Sequence, residues 1–512
     1  MEMKMTVAPS NRWLVLTAVI LAFLPVVVDM TILHIAVPSL TAALGASGTE
    51  ILWIIDIYPL IMAGLLVPMG TLGDRVGHRR LMLTGLTIFG TASICAAFST
   101  TAMMLILSRA FLALGSSMIM PSVLAIVRQT FEDPKERAVA LGVWTTVGSA
   151  GAAIGPLVGG FLLEHFWWGS VFLINVPIML VVLPVVFVLV PNRPVAAQGS
   201  WKIGHAMLLI AGLITTVYAI KTGFKAADLS VWNLAVLVAG LGLIAWFARL
   251  QVVSSEPLLD LSLFRKPAIS VGMMIAFVVS GSFAGFELLL AQELQYVYGR
   301  TPLQAGLFMM PLVVASAIAG PIAGKLAGRF SLRWLGTIGL GAAALSLFGI
   351  SQSDIGGDVV IIGSLLAVLG FALGVGLLAS SAAIMGAAPV EKAGAAGSLE
   401  ATGYELGAGL GITFFGVLLS SIYRTNFTGA AGPGIDLEAA SASIGEAMVI
   451  ARRIGGTEGE AIAEAARVAF ASAHGSVLMV TATLIAMLAI VVFVALRREG
   501  APLETGVVAT EP

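Results

Sequence analysis

The chain has 512 residues, of which 58% are hydrophobic and 11% charged. Soluble domains carry about a quarter charged residues, so this composition excludes an ordinary globular protein and predicts an all-α integral membrane protein. A formal charge of -1 offers no basic surface for nucleic acid, the single Cys95 excludes an intrachain disulfide, and five scattered histidines give no metal-ligand spacing.

Apolar windows of about 20 residues, bounded by charge, Pro or Gly clusters, recur about fourteen times. They lie near residues 13–38, 49–72, 81–100, 103–128, 136–163, 167–190, 203–221, 230–249, 268–297, 302–326, 333–352, 359–387, 393–421 and 474–496. The first span is too long for a signal peptide and lacks a cleavage site, so it is read as uncleaved. With both termini on one side, that side collects about 19 Lys and Arg and the other about 7, which predicts cytoplasmic termini.

The first two spans each hold an acid, Asp29 and Asp56, with no basic neighbour in the same segment. A charge at the bilayer centre costs about 2.5–3.5 kcal/mol on insertion scales, so both acids should face a bundle interior or a water-filled cavity. Counted from the turn between the spans they lie roughly 12–15 Å deep and could share one cavity. Local capping at Asp56 and a remote Arg partner for Asp29 are the bland alternatives.

After span two, Gly70, Asp74, Arg75, Gly77, Arg79 and Arg80 form a glycine-rich basic turn. Span four carries Arg109, which either meets acceptors inside the bundle or snorkels to the interface. Span five repeats small residues at Gly151, Gly155, Pro156, Gly159 and Gly160, a pattern for close helix contact.

Polar breaks at 191–202 and 251–266 isolate spans seven and eight between two blocks of six. The chain thus divides into a six-helix bundle (1–190), an inserted pair with linkers (191–266), a second bundle (267–496) and a tail (497–512). The turn Gly324 to Arg333 is a weaker copy of the Gly70 to Arg80 turn, as duplicated halves would produce.

Span nine offers Glu287 at depth and Glu293 nearer the interface beside Arg300; span thirteen offers Glu400 and Glu405, about 140° apart on the helix. Trp53, Tyr58, Phe283, Phe286 and Tyr404 lie within a turn or two of these acids. Carboxylates among aromatic rings suit a lipophilic cation; singly, each ring is an ordinary packing residue. Residues 425–473 face outward and read as a helical hairpin, with a breaker at 432–434 and helical patterns at 440–454 and 459–474.

The Gly70–Arg80 turn resembles the signature loop of the major facilitator superfamily, which latches its two halves; the Arg109 segment resembles its buried-Arg motif, implicated in proton coupling. Gly151 to Gly160 resembles the antiporter motif of its drug:proton exporters. Together with Asp29-Met-Thr31-Ile-Leu-His34 and Trp53-Ile-Ile-Asp56-Ile-Tyr58, the whole chain is similar to the fourteen-helix drug:proton antiporter family of the QacA and SmvA type, and to its SmvA-like branch most. His34 departs from it, standing where the family commonly has Asn.

The resemblance implies a major facilitator fold of two six-helix bundles plus two inserted helices. It also implies a monomeric multidrug efflux antiporter, not an enzyme, in a bacterial inner membrane among lipid. Such a protein is driven by the proton gradient without a cofactor and exports lipophilic cations such as quaternary ammonium biocides, methyl viologen, and bis-cationic antiseptics and dyes. Substrate or protons would bind at Asp29, Asp56, Glu405, Glu287, Glu400 and His34, with Arg109 coupling them. Export of an endogenous metabolite or peptide is the alternative within transport.

Overall fold

The computed structural model of the chain describes residues 9–192, 201–226, 230–327, 330–389, 392–427 and 436–498. Among them no strand occurs, and fourteen helices are long and apolar enough to cross a membrane. Lipid offers the backbone no hydrogen-bond partner, so a chain this apolar must satisfy its amides within helices. Residues 193–200, Gly328 and Arg329 of the copied turn, the breaker at 432–434 and the tail from 499 lie outside the described residues.

The first half comprises α1 (Pro9–Leu44), α2 (Gly48–Val76), α3 (His78–Ala97), α4 (Ala102–Thr130), α5 (Pro134–His165), α6 (Ser170–Leu173) and α7 (Asn175–Leu189). The inserted pair is α8 (Ile203–Ala226) and α9 (Val231–Val253), followed by a 3-10 turn at Leu261–Arg265. The second half comprises α10 (Pro267–Tyr296), α11 (Pro302–Ala327), α12 (Leu332–Ser351), α13 (Val359–Ala387), α14 (Ala393–Asn426), α15 (Leu437–Ala442), α16 (Ile444–Ile454) and α17 (Gly456–Ala495).

Polar side chains mark the helix starts. Ser47 and Glu50 form a reciprocal capping box on α2, Thr101 caps α4, and Asp133 receives the amides of Lys135 and Glu136 with Pro134 at the first helical position. Those two amides hold the exposed Asp133 carboxyl below its ordinary range.

Three boundaries differ from the sequence expectation. Helix α1 runs through Pro38 to Leu44, because Val37, Leu40 and the Thr41 side chain still pack inside the bundle. Span six is divided at Ile174 into α6 and α7. The second limb of the hairpin is continuous with the last span as the 40-residue helix α17, and Gly455 and Gly456, both at positive φ, make the turn from α16.

The two halves pack most closely on the hairpin side. There, α5 packs on α11 and α2 on α14; a Cβ on Gly160 would lie 2.5 Å from Leu303 Cα, one on Gly306 2.7 Å from the Pro156 carbonyl, and one on Gly409 3.2 Å from Leu60. At the opposite, Arg-rich end, a Cβ on Gly142 of α5, on Gly320 or Gly324 of α11, or on Gly394 or Gly397 of α14 would meet nothing within 4 Å. The cleft between the halves therefore opens on the basic face.

Helix α8 lies along one edge of that cleft. Its Ile210 fills the space above Gly64 of α2, and its Leu209, Leu213 and Val217 join Leu60, Ile269, Ile384 and Leu399 in one apolar cluster spanning both halves. Helix α9 packs on α8 and otherwise exposes its apolar side chains, Val231, Trp232 and Val238 among them.

Candidate functional site

The first half holds Asp29 in a closed polar cluster. Arg109 is buried, not snorkelled: its Nη1 donates to Asp29 Oδ2 at 2.5 Å, its Nε donates to the Ile54 carbonyl at 3.2 Å, and its guanidinium lies 4.5 Å from the centre of the Tyr58 ring. Tyr58 in turn donates to Ser116 Oγ at 2.6 Å, and Asn175 of α7 donates nearby to Ser93 Oγ at 3.3 Å. Charge, donors and ring face supply what a guanidinium needs away from water. Tyr58 is thus part of the Arg109 shell and does not line the cleft.

Asp56 sits elsewhere, on the seam between the halves. Thr413 of α14 donates to its Oδ2 at 2.6 Å, and Lys221 of the inserted helix α8 places its ammonium 2.7 Å from the same oxygen and 4.1 Å from the centre of the Trp53 ring. The two acids that depth alone allows to share one cavity therefore occupy separate ion pairs. Lys221 escapes the sequence reading because it falls at the expected end of span seven; the signal lies in the apolar Phe224 beyond it and in a depth matching that of Asp56.

Two more pairs involve histidine. His34 Nδ1 of α1 faces Glu287 Oε2 of α10 at 3.4 Å, linking the halves, and Gln295 donates across the same seam to the Ile35 carbonyl at 3.0 Å. Glu293 is not interfacial beside Arg300: it is buried and hydrogen-bonded to His474 of α17, inside the second half. Phe286 packs in that core, with its ring 6.3 Å from the His474 ring, and Phe283 packs against the same cluster.

Glu405 stands apart from all of these. Among the described residues it has no ion pair and no hydrogen bond, and its Oε2 is buried. On the same stripe of α14, Ala401 and Ile412 pack into the first-half core and Gly409 touches Leu60, so spacing of about four residues turns Glu405 toward the first half. Glu400, a turn nearer the basic end, accepts from Tyr404 at 2.7 Å.

The motifs act through packing. Gly151, Gly155 and Gly159 form a stripe at i, i+4 and i+8 against Leu24, Thr31 and Ile32 of α1, while Pro156 and Gly160 pack directly against α11 of the other half. The Gly70 turn bonds within the first half: Asp74 pairs with His78 at 3.0 Å, and Arg79 donates to the Phe187 carbonyl and lies over the Phe187 ring. Gly77, at φ +95, lets the chain reverse there. Arg75 is half-buried and Arg80 exposed, and a Cβ on Gly70 would meet only Pro121 of the same half.

Residues 19–412 match the family model of the Major Facilitator Superfamily. The chain belongs to that superfamily. It is 47% identical over 482 residues to the methyl viologen resistance protein SmvA of Salmonella typhimurium, covering 94% of this chain and 97% of that one. It is 36% identical over 494 residues to the multidrug efflux pump LfrA of Mycolicibacterium smegmatis, covering 96% and 98%. Among solved structures, a bacterial homolog of the human lysosomal transporter Spinster in an inward-facing, occupied conformation superposes with a TM-score of 0.71 at 16% identity, over 97% of this chain and 99% of that one. The chain is accordingly a multi-pass membrane transporter of the major facilitator fold with drug-efflux relatives.

Proposed function

We propose that the chain is a proton-coupled multidrug efflux antiporter of the bacterial inner membrane, exporting lipophilic cations by alternating access. The substrate class comprises quaternary ammonium biocides, methyl viologen, and bis-cationic antiseptics and dyes. The reading rests on Glu405. Four other membrane acids each have a basic or imidazole partner: Arg109 for Asp29, Lys221 for Asp56, His34 for Glu287 and His474 for Glu293. Glu405 has none among the described residues and no hydrogen bond either, so its charge is open to compensation by an incoming proton or an incoming cation.

One carboxylate that takes either ligand but not both couples them by competition. The basic face is assigned to the cytoplasm by its Lys and Arg excess, so the cleft opens inward and admits drug from the cytoplasm. Closure of that face and separation of the contacts at Gly160, Gly306 and Gly409 would expose Glu405 outward, where protonation releases the cation. Asp29 and Arg109, tied to the Ile54 carbonyl two residues from Asp56, connect the core of the first half to the seam.

The test is proton release on adding tetraphenylphosphonium to purified, detergent-solubilised protein. The native chain is expected to release protons and Glu405→Gln to lose both release and tight binding. Release and affinity undiminished in Glu405→Gln would overturn the assignment. Loss confined to Asp29→Asn or Asp56→Asn would move the shared site into the first hairpin.

A further inference from the structure

The environment of Lys221 resembles a ligand site occupied by the protein's own side chain. Its ammonium is buried, lies 2.7 Å from the Asp56 carboxylate and 4.1 Å from the centre of the Trp53 ring, and has no hydrogen-bond partner of good geometry among the described residues. Lysine offers three N–H donors and normally uses them. Here it is held by charge and a ring face, the two interactions that a quaternary ammonium, which has no N–H, can reproduce. The helix that delivers it, α8, is the inserted one, packed against α2 and α14 at the seam between the halves.

We propose that Lys221 is a tethered cation occupying the Asp56–Trp53 site, so that a dicationic substrate gains its second carboxylate only by displacing Lys221. The proposal rests on the transport reading above, in which Glu405 takes the first positive charge. Thr413, which touches Asp56, and Glu405 lie eight residues apart on α14, so the two carboxylates are offset by about 12 Å along the helix. The favoured dications therefore carry their charges on a long spacer. A single-charged cation leaves Lys221 in place.

The displaced ammonium has somewhere to go. A cavity of about 160 Å³ on the hairpin side is lined by Lys221, Thr49, Ser420, Arg424 and Glu446. Glu446 accepts at Oε1 from the Gly48 amide at 2.9 Å and from Ser443 Oγ at 3.2 Å, and its carboxylate supplies negative charge for an ammonium. Swinging toward that carboxylate keeps Lys221 charged and paired while Asp56 binds substrate.

The experiment compares a matched pair of probes, decamethonium and decyltrimethylammonium, which share a ten-carbon chain and differ in one charge. Binding to the purified full chain is measured for the native protein, Lys221→Gln and Lys221→Arg. Lys221→Gln should tighten decamethonium relative to decyltrimethylammonium by about 10- to 100-fold, the lower range of coupling between close charge pairs, and Lys221→Arg should keep the native ratio. An unchanged ratio in Lys221→Gln, or the same shift in both variants, overturns the proposal.

A second measurement needs no variant. Reductive methylation mapped by mass spectrometry should label Lys221 of the native chain faster with decamethonium bound than with decyltrimethylammonium; equal labelling overturns displacement. If neither probe binds the native chain, the transport reading itself falls. If both bind and the ratio does not move, only the role of Lys221 does.

Discussion

Removing Arg109 tests the logic of the buried pairs most directly. In Arg109→Met, Asp29 loses its 2.5 Å partner in a site it cannot leave, since its side chain is fully enclosed by the first half. The carboxyl left behind is buried without its charge partner, and removing one member of a buried pair typically costs about 3–5 kcal/mol.

The loss belongs to the stranded carboxyl rather than to the missing guanidinium. Asp29→Asn/Arg109→Met leaves no charge without its partner, so it should recover most of the deficit. Denaturant titration in mixed micelles compares the native chain with both variants. A double variant no more stable than Arg109→Met would refute the reasoning and assign the role of Arg109 to packing on Tyr58.

Two glycines of one motif should separate by the partner each faces. Gly160→Ala puts a methyl against Leu303 of the other half, and overpacking of about 1–3 kcal/mol there should shift the conformational balance about 5- to 150-fold away from the state closed on the hairpin face. Spin-label distances between the basic ends of α5 and α11 should shorten. Gly155→Ala overlaps Thr31 inside the first half, so it should lower stability in every conformation and leave those distances unchanged.

The linker pair Asp260–Lys392, at 2.6 Å, joins the 3-10 turn to the start of α14. Hydrogen bonds from Lys392 first and Ser262 second hold the Asp260 carboxyl below its ordinary range. Its contribution is therefore present above the ordinary Asp value and lost as pH falls through the lowered one. Because the pair is largely exposed, Lys392→Met should cost only about 0–1 kcal/mol, measured by the same titration above about pH 5.

Much of this protein is written in one dimension. Lipid compels every spanning segment to be a helix, so apolar runs bounded by Ser47, Thr101, Asp133 and Asp358 announce the spans, and a rise of about 1.5 Å per residue places Asp29, Asp56, Glu287 and Glu405 at depth. The glycine spacing of α5 likewise predicts close packing, since only small residues let backbones approach. Even the continuity of the hairpin's second limb with the last span leaves a trace, for no proline and no charged residue separates residues 459–474 from it.

What the sequence gives is height in the membrane. What it withholds is azimuth, the direction in which each side chain points once helices are bundled, and azimuth decides the partners. Asp29 meets Arg109 from 80 residues away, Glu293 meets His474 from 181, and Asp56 meets Thr413 from 357, each pairing set by helix rotation and neighbour order that no local pattern encodes. Lys221 reaches Asp56 only because α8 lies on the seam between the halves, and Glu405 is left without a partner among the described residues. Helix formation is a local energy, settled residue by residue; which charge faces which is settled by packing of whole helices, and the tertiary structure alone decides it.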